Sequence, residues 1–299
     1  MPGGGAMTEL VIQGALSGLL IGGVYGLIAL GLNLVFGTMR VVNFAQGTLL
    51  MVAMFMSYWL TAKTGLHPYL TPLLTLPALF GLGYLIQLWL VSPLLAREKA
   101  REPMSVLLMT LGLSLVLENS ALMAFSADYK TVQVGQTNAV WFIGDYIISI
   151  ARFWGLLAMA STVALLWAFL TRTDLGRAIR AVGQDRQVAR LLGIDDRVIY
   201  NFAFGISTAI MGIAAAALLP FYYTHPAVGT TFLLKAFVIV VLGGLGSMPG
   251  AALGGLAVGV IEGVVGIFTE AAMAQIVLFA VFVTMLFFRP AGLLGVERK

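Results

Sequence analysis

Residues 10–36 (LVIQGALSGLLIGGVYGLIALGLNLVF) contain no charged side chain, and glycine recurs there every four positions from Gly14 to Gly26. A helix needs roughly 20 apolar residues to cross the hydrocarbon core of a bilayer. Glycines spaced in this way lie along one face of a helix and let a second helix come close. The same spacing returns from Gly255 to Gly263. The pattern therefore predicts membrane-spanning helices that pack inside a helical bundle.

The remainder of the chain has the same apolar character. Of its 299 residues, 60% are hydrophobic and 10% are charged, and the mean hydropathy is +0.98. We therefore predict an all-α polytopic membrane protein with about eight or nine transmembrane segments, one or two of them broken, in a single domain over residues 1–299. The start MPGGGA (1–6) is expected to be an extension before a natural start at Met7. The apolar runs lie at about 10–36, 44–62, 69–94, 104–126, 153–171, 199–220, 231–247, 251–268 and 272–288.

The sequence excludes several other kinds of site. The chain has no cysteine, which rules out disulfides, thiol catalysis and cysteine metal sites. Neither His67 nor His225 belongs to a carboxylate–histidine motif, so no metal site is predicted. There is no Gly-Lys-Ser/Thr loop for a nucleotide phosphate, and no nucleophile–base set lies within a span. The net charge of +4 follows membrane orientation. We therefore expect neither an enzyme nor a nucleic-acid-binding protein.

Two interruptions of the apolar pattern lie in opposite halves of the chain, at 28–49 (IALGLNLVFGTMRVVNFAQGTL) and at 243–250 (GGLGSMPG). Each is either a connecting turn or a helix broken within the membrane, where exposed backbone is tolerated only if protein or a water-filled cavity covers it. Interrupted segments in opposite halves of a transporter point to its translocation path. The residues that we predict for this path are Asn33, Asn43, Gln46, Gly243, Gly244 and Gly246.

Ionisable side chains within spans are costly, so each marks a structural or a functional site. Glu118 lies in the outer half of the fourth run, Lys235 near the outer end of the seventh, and Glu262 within the eighth. We favour structural interpretations, with Lys235 extending to the membrane surface and Glu118 bonded to a neighbouring helix. Proton coupling through Glu118 and Glu262 is the alternative.

The long charged segment of the chain is 174–200 (DLGRAIRAVGQDRQVARLLGIDDRVIY). Within it, residues 185–192 are predicted to form a short helix. Gln184 or Asp185 is suited to cap its start, and Gly193 is suited to end it.

This short helix is predicted to be amphipathic. Val188, Leu191 and Leu192 fall on one face, and Arg186 and Arg190 fall on the other. A helix of this kind is suited to docking in a groove on a partner protein. A solvated loop with one helical turn is the other interpretation.

The distribution of basic residues predicts the orientation, because cytoplasmic loops are enriched in lysine and arginine. We place the segment 174–200 and the C terminus in the cytoplasm and the N terminus outside. The other basic residues expected inside are Arg40, Arg97, Lys99, Arg101, Arg289, Arg298 and Lys299. Those expected outside or at the outer membrane edge are Lys63, Lys130, Arg152 and Lys235.

Three blocks of the sequence together resemble a known family. They are GLNLVFGTMRVVNFAQGTLLMV (31–52), GRAIRAVGQDRQVARLLGI (176–194) and AFVIVVLGGLGSMPGAALGGLAVGVIE (236–262). They resemble the permease subunits of bacterial branched-chain amino-acid ABC importers, of the LIV-H type. The resemblance covers nearly the whole chain from Met7.

The resemblance implies that residues 172–198 form a cytoplasmic loop that couples the permease to an ATPase. The family commonly has alanine where Gly183 and Arg190 stand here. We expect Gly183 to loosen the entry into the coupling helix and Arg190 to add a charge at the interface. The coupling residues implied in this sequence are Asp185, Arg186, Val188, Ala189, Leu191, Leu192 and Gly193.

The resemblance also implies a multi-pass protein in the lipid of the bacterial inner membrane that moves branched-chain amino acids inward by alternating access. Its expected partners are a second homologous permease subunit, two cytoplasmic ATPase subunits that hold ATP and Mg, and an external solute-binding protein. No cofactor is expected in this chain. Related ABC permeases for urea or short amides remain alternatives. So does a self-contained secondary transporter or channel that uses Glu118, Glu262 or Lys235 for coupling.

The orientation can be tested with topology reporters. Because basic residues concentrate on one side, a reporter at residue 299 should be cytoplasmic and one inserted near Asp128 should be external. Protease protection in intact cells and in inverted vesicles would measure both. Finding the two reporters on the same side would contradict the nine-span arrangement.

Overall fold

The computed structural model describes residues 4–97, 104–132, 139–289 and 291–295. Of the residues used to predict orientation, Lys99, Arg101, Arg298 and Lys299 lie outside the described residues, as do residues 1–3 of the predicted extension. Most of the described residues are helical. The elements are α1 (Gly4–Met39), α2 (Gln46–Thr64), α3 (Pro72–Ile86), α4 (Ser92–Arg97), α5 (Met104–Phe125), β1 (Val140–Ile143), β2 (Tyr146–Ser149), α6 (Ile150–Arg172), α7 (Asp174–Gln184), α8 (Arg186–Leu191), α9 (Asp196–Leu218), α10 (Val228–Gly243), α11 (Met248–Phe268) and α12 (Ala271–Phe288).

Each of the nine predicted apolar runs corresponds to one of these helices or, for the run 69–94, to α3 and α4 joined by a π-helical turn at Gln87–Val91. Within the described residues, six helices are long and apolar enough to cross a membrane, and two further apolar helices are shorter. The six are Met7–Met39, Pro72–Ala96, Met104–Phe125, Ile150–Arg172, Asp196–Leu218 and Met248–Phe268. The prediction of an all-α polytopic membrane protein is confirmed.

Helix α1 lies at the centre of the bundle and contacts α6, α9, α10 and α11. Its middle turns are completely enclosed, as at Val24, Leu27 and Leu30. A helix apolar on every side and buried on every side needs no amphipathic pattern, which is why its sequence shows none.

The predicted glycine faces meet each other in the contact between α1 and α11. A Cβ atom built on Gly18 would lie 2.3 Å from the carbonyl oxygen of Gly259, and one on Gly22 would lie 2.7 Å from that of Gly255. Such distances leave room only for hydrogen. The two helices are antiparallel, because higher residue numbers on α1 meet lower residue numbers on α11.

A two-stranded antiparallel sheet, which the sequence analysis did not predict, lies in the segment between α5 and α6. Strands β1 and β2 pair from Val140 with Ser149 to Ile143 with Tyr146. The side chain of Gln13 accepts a hydrogen bond from the Ile147 amide at 3.0 Å and donates one to the Ile147 carbonyl at 2.8 Å. These bonds hold the hairpin against the N-terminal part of α1.

The glycine contact can be tested with two alanine substitutions that differ only in what the added methyl meets. Gly259→Ala places Cβ 2.3 Å from the Gly18 carbonyl oxygen. The helices must then separate, and the free energy of unfolding should fall by about 1–3 kcal/mol. Gly112→Ala on α5 meets nothing within 4 Å, so it should be neutral or stabilise the helix by up to about 1 kcal/mol. Thermal unfolding in detergent measures both, and equal effects would contradict the assigned contact.

Candidate functional site

The first interruption lies at residues 40–45 and not within the earlier part of the segment 28–49. Helix α1 continues without a break to Met39, and Arg40 then has a φ of 55°. The chain runs back beside α1 in a non-helical form, so that Gln46 at the start of α2 lies against Gly31. Gly31 is eight residues before the end of α1, which is about 12 Å along a helix. The break therefore lies inside the bundle and is not a tight turn at its end.

Side chains satisfy the backbone of this break. Asn43 accepts a hydrogen bond from the Ala45 amide at 3.0 Å and donates one to the Gln46 side chain at 3.2 Å. The Phe44 amide donates to the hydroxyl of Thr110 on α5 at 3.2 Å. Asn43 and Gln46 are both buried. Protein thus encloses the unwound backbone, as a break within a membrane requires.

Residues of α9 complete this polar cluster. The Ser207 hydroxyl donates to the Gly31 carbonyl at 2.6 Å and lies 3.3 Å from the Gln46 side-chain oxygen. The cluster thus joins α1, α2 and α9 at one level of the bundle. Sequence reasoning found Asn43 and Gln46 but missed Ser207, because a serine inside a long apolar helix has no local signal.

The second interruption is a connecting turn between α10 and α11. Gly244 and Gly246 have φ values of 107° and 84°, which favour glycine. The Asn33 side chain donates to the Ser247 carbonyl and accepts from the Gly246 amide, both at 2.6 Å. Gly243 has a different role, since it packs against the backbone of Gly250. Asn33 thus fixes the turn to α1.

The structure does not bring all six predicted path residues to one place. Asn33 and Gly31 are two positions apart on α1 and so face different sides of it. The turn with Asn33 and the cluster with Gln46 are therefore separate sites. A cleft of about 870 Å³ lies beside the turn and is lined by Asn33, Gly246, Arg40 and, from α7, Gly183.

The ionisable residues within the bundle have different environments. Lys235 forms an ion pair with Glu262 at 2.6 Å and a hydrogen bond with the Tyr25 hydroxyl at 2.9 Å. This places Lys235 in the middle of α10 and joins α10, α11 and α1. The expectation that the Lys235 side chain extends to the membrane surface is therefore wrong, because the side chain is held inside the bundle by Glu262 and Tyr25. Glu118 lies on α5, partly exposed, and makes no ion pair within the described ranges.

The predicted short helix is present as α8. Asp185 is its N-cap, and its carboxylate accepts hydrogen bonds from the amides of Gln187 at 2.8 Å and Val188 at 3.1 Å. Gly193 ends it with a φ of 82°. The cap and the stop are thus those that the sequence predicts.

The apolar face of α8 is open. Val188, Leu191 and Leu192 are 51%, 87% and 74% exposed. Ala189, which the resemblance placed among the coupling residues, is 1% exposed and packs inside the chain. It is therefore not available to a partner.

The opposite face of α8 is held by Asp196 on the first turn of α9. The Asp196 carboxylate accepts from Arg186 at 2.5 Å and from Arg190 at 2.7 and 2.9 Å. The hydrogen bond to Asp196 also raises the pKa of Arg190 above its ordinary value. Arg190 thus fastens α8 to α9, and because its side chain is still 51% exposed, the expectation that it adds a charge at an interface stays a prediction.

Helix α7 was not predicted, although the sequence contains its signals. Thr173 is the N-cap and accepts from the Gly176 amide at 3.0 Å. Ile179 and Val182 lie on its buried face. The signal that could have found it was a cap residue followed by apolar residues at helical spacing.

Close packing explains Gly183 better than flexibility does. A Cβ atom at Gly183 would lie 2.6 Å from the carbonyl oxygen of Gly37 on α1. Arg40 donates to the Gln184 carbonyl at 3.3 Å. The expectation that Gly183 loosens the entry into α8 is therefore wrong, since α7 ends tightly against the last turns of α1 and the start of the break.

The bundle encloses unwound backbone beside a cleft, and the helices α7 and α8 lie between α6 and α9. This is the architecture of a membrane permease. Residues 14–286 match the family model for the permease component of the branched-chain amino acid transport system. The chain belongs to this family.

Two of the relatives, BraD and LivH, are similar over almost their full length. The chain is 30% identical to the high-affinity branched-chain amino acid transport system permease protein BraD of Pseudomonas aeruginosa, over 95% of each chain. It is 29% identical to the LivH permease protein of Escherichia coli, again over 95% of each. It is also 36% identical to the LivM permease protein of Escherichia coli over 131 residues, which are 43% of this chain and 30% of that protein. No solved structure matches.

The fastening of α8 can be tested at Asp196. Asp196→Ala removes the carboxylate that both arginines share, so α8 should detach from α9, and trypsin should cleave at Arg186 and Arg190 several-fold faster. Asp174→Ala is the control, because Asp174 is exposed and pairs with Arg177 on its own helix, and it should leave cleavage unchanged. Limited proteolysis of the purified protein distinguishes the two. Equal protection of both variants would show that Asp196 does not hold the helix.

Proposed function

We propose that this protein is the transmembrane permease subunit of an ABC importer that moves branched-chain amino acids into the cell. It works in the bacterial inner membrane with a second homologous permease subunit, two cytoplasmic ATPase subunits and an external solute-binding protein. ATP and Mg are held by the ATPase chains, and this chain is a transport subunit without catalysis of its own. The similarity to the branched-chain amino acid permeases BraD and LivH supports the substrate class, and the similarity to LivM supports a second permease subunit.

The observation that carries the proposal is the exposed apolar face of α8. Three large aliphatic side chains, Val188, Leu191 and Leu192, point away from the protein on a helix that the cap of Asp185 and the ion pairs of Asp196 hold in place. Burying each in a groove contributes about 1.5–3 kcal/mol. A rigid, exposed apolar helix at the end of a membrane bundle fits a docking element for the ATPase.

The contacts of α7 suggest how movement of the docking helix reaches the membrane. Helix α8 follows α7 directly, and α7 touches Gly37 and receives a hydrogen bond from Arg40. Arg40 begins the non-helical segment 40–45, which α2 follows at Gln46. Closure of the ATPase would thus displace the end of α1 and the break together, as rigid groups rocking between inward-open and outward-open states.

The path that we propose is lined by neutral groups. Asn43 and Gln46 offer amide donors and acceptors beside the break, on a different side of α1 from the cleft that Arg40 lines. Such groups bind the charged ends of a zwitterion without a fixed charge that would retain it. Lys235 and Glu262 form an ion pair, so ion coupling through either in a self-contained carrier would require that pair to break.

Docking can be tested by placing carboxylates on the exposed face. Leu191→Asp combined with Leu192→Asp would force unpaired charges into the ATPase groove, so the ATPase should no longer co-purify and uptake of labelled leucine should stop. Leu191→Met with Leu192→Met is the matched control and should retain both, since it keeps the apolar area. Membrane insertion should be normal in all variants.

A full complement of ATPase on the double aspartate variant would contradict the docking assignment and favour a self-contained carrier. The substrate is tested separately, with labelled leucine, urea and a short amide offered to the wild-type complex. Uptake of urea or the amide but not of leucine would overturn the proposed substrate class.

A further inference from the structure

Helix α2 has a line of polar side chains on its buried face, and each of them has a polar atom without a hydrogen-bond partner among the described residues. Gln46, Ser57 and Thr61 are separated by eleven and four residues, which places them within an arc of about 60° at 100° per residue. All three are at least nine-tenths buried. Leu50 and Ala53 lie between them on the same face and are also buried.

Each of these three side chains has a buried polar atom without a partner among the described residues. The atoms are the Gln46 amide nitrogen, the Ser57 hydroxyl and the Thr61 hydroxyl. Leaving a buried hydroxyl or amide unpaired costs free energy, so a chain selected for stability alone would place apolar residues here.

Other buried hydroxyl groups in the same bundle are satisfied by a hydrogen bond to a backbone carbonyl of their own helix. Thr75, Thr162 and Thr208 each donate to the carbonyl four residues earlier in their own helix, at 3.1, 2.7 and 2.9 Å. This internal bond satisfies a hydroxyl inside an apolar helix. Ser57 and Thr61 do not make it, although carbonyls of α2 are within reach of any serine or threonine in a helix.

We propose that these side chains line the translocation path beyond the break, and that they bind the charged ends of a zwitterionic aliphatic amino acid as it passes. The path runs from the polar cluster at Gln46 along the buried face of α2 to Thr61. The inference rests on the proposed transport function and extends it from the break towards the other end of the bundle. The distance from Gln46 to Thr61 is about 22 Å along α2.

The chemistry of the line suits such a solute. Hydroxyl and amide oxygens accept hydrogen bonds from an ammonium group, and hydroxyl and amide N–H or O–H groups donate to a carboxylate. Leu50 and Ala53 offer apolar contact for an aliphatic side chain between the polar positions. Neutral groups spaced along a path bind weakly at each point, which allows the solute to move on.

The absence of cysteine from the chain permits a direct test of this path. Single variants Ser57→Cys, Thr61→Cys and Thr75→Cys each introduce one thiol. Ser57 and Thr75 are both completely buried, so Thr75→Cys is the matched control in a helix-bonded position. The probe is the water-soluble cation methanethiosulfonate ethyltrimethylammonium, added to membranes that contain the whole complex, with labelling of this chain measured by mass spectrometry.

If water and solutes reach the buried face of α2 during transport, the thiols introduced at positions 57 and 61 should react at least about tenfold faster than the thiol introduced at position 75, because the reaction rate follows access to the thiolate. Equal, slow labelling at all three positions would overturn the proposal. This measurement needs no knowledge of the solute. If the protein were instead a self-contained carrier, the proposed function would be contradicted while the labelling contrast would remain.

A second measurement separates a path from a packing role. Ser57→Ala and Thr61→Val remove unpaired hydroxyls, so the melting temperature should stay the same or rise, while leucine uptake should fall at least about tenfold if the hydroxyls bind the solute. Thr75→Val should keep uptake near the wild-type rate. Unchanged uptake by both α2 variants, or a lower melting temperature with proportionally less protein in the membrane, would overturn the assignment.

Discussion

Helix α1 lies against α11 along successive turns at which neither helix has a side chain larger than hydrogen. Within a membrane, apolar side chains gain little by leaving lipid, so close backbone packing has to hold helices together. The contact fixes α1 in the centre of the bundle. The helices α6, α9 and α10 then pack around it, and both interruptions of the apolar pattern are positioned by its C-terminal half.

Polar side chains on α1 and its neighbours make the interruptions possible. Asn33 holds the turn between α10 and α11 through two hydrogen bonds, and Asn43 folds the non-helical segment back towards Gln46. Each unwound stretch therefore finds donors and acceptors inside the protein. Asn33 and Asn43 are buried polar side chains because each of them bonds to backbone that is not helical.

The segment between α6 and α9 connects the membrane part to an exposed surface. One side of α8 is fastened by the carboxylate of Asp196, and Arg186 also lies over the ring of Tyr200, 5.4 Å from its centre. The other side presents leucine and valine to the surroundings. The arginines thus fix the position of α8, and its leucine and valine side chains are free for a partner.

The sequence by itself determined the class of the protein, the places of its spans, the two glycine faces and the ends of α8. These features depend on neighbours in the chain, through hydrophobic length, helical spacing and the preferences of Asp185 and Gly193 for caps. Only the tertiary structure decided that Arg190 binds Asp196, that Lys235 pairs with Glu262, and that Gly183 packs on Gly37. It also decided that the break before Gln46 lies inside the bundle and that Gln46 contacts Ser207. These contacts join residues far apart in the chain, and a pattern of nearby residues contains no information about which distant side chain will complete them.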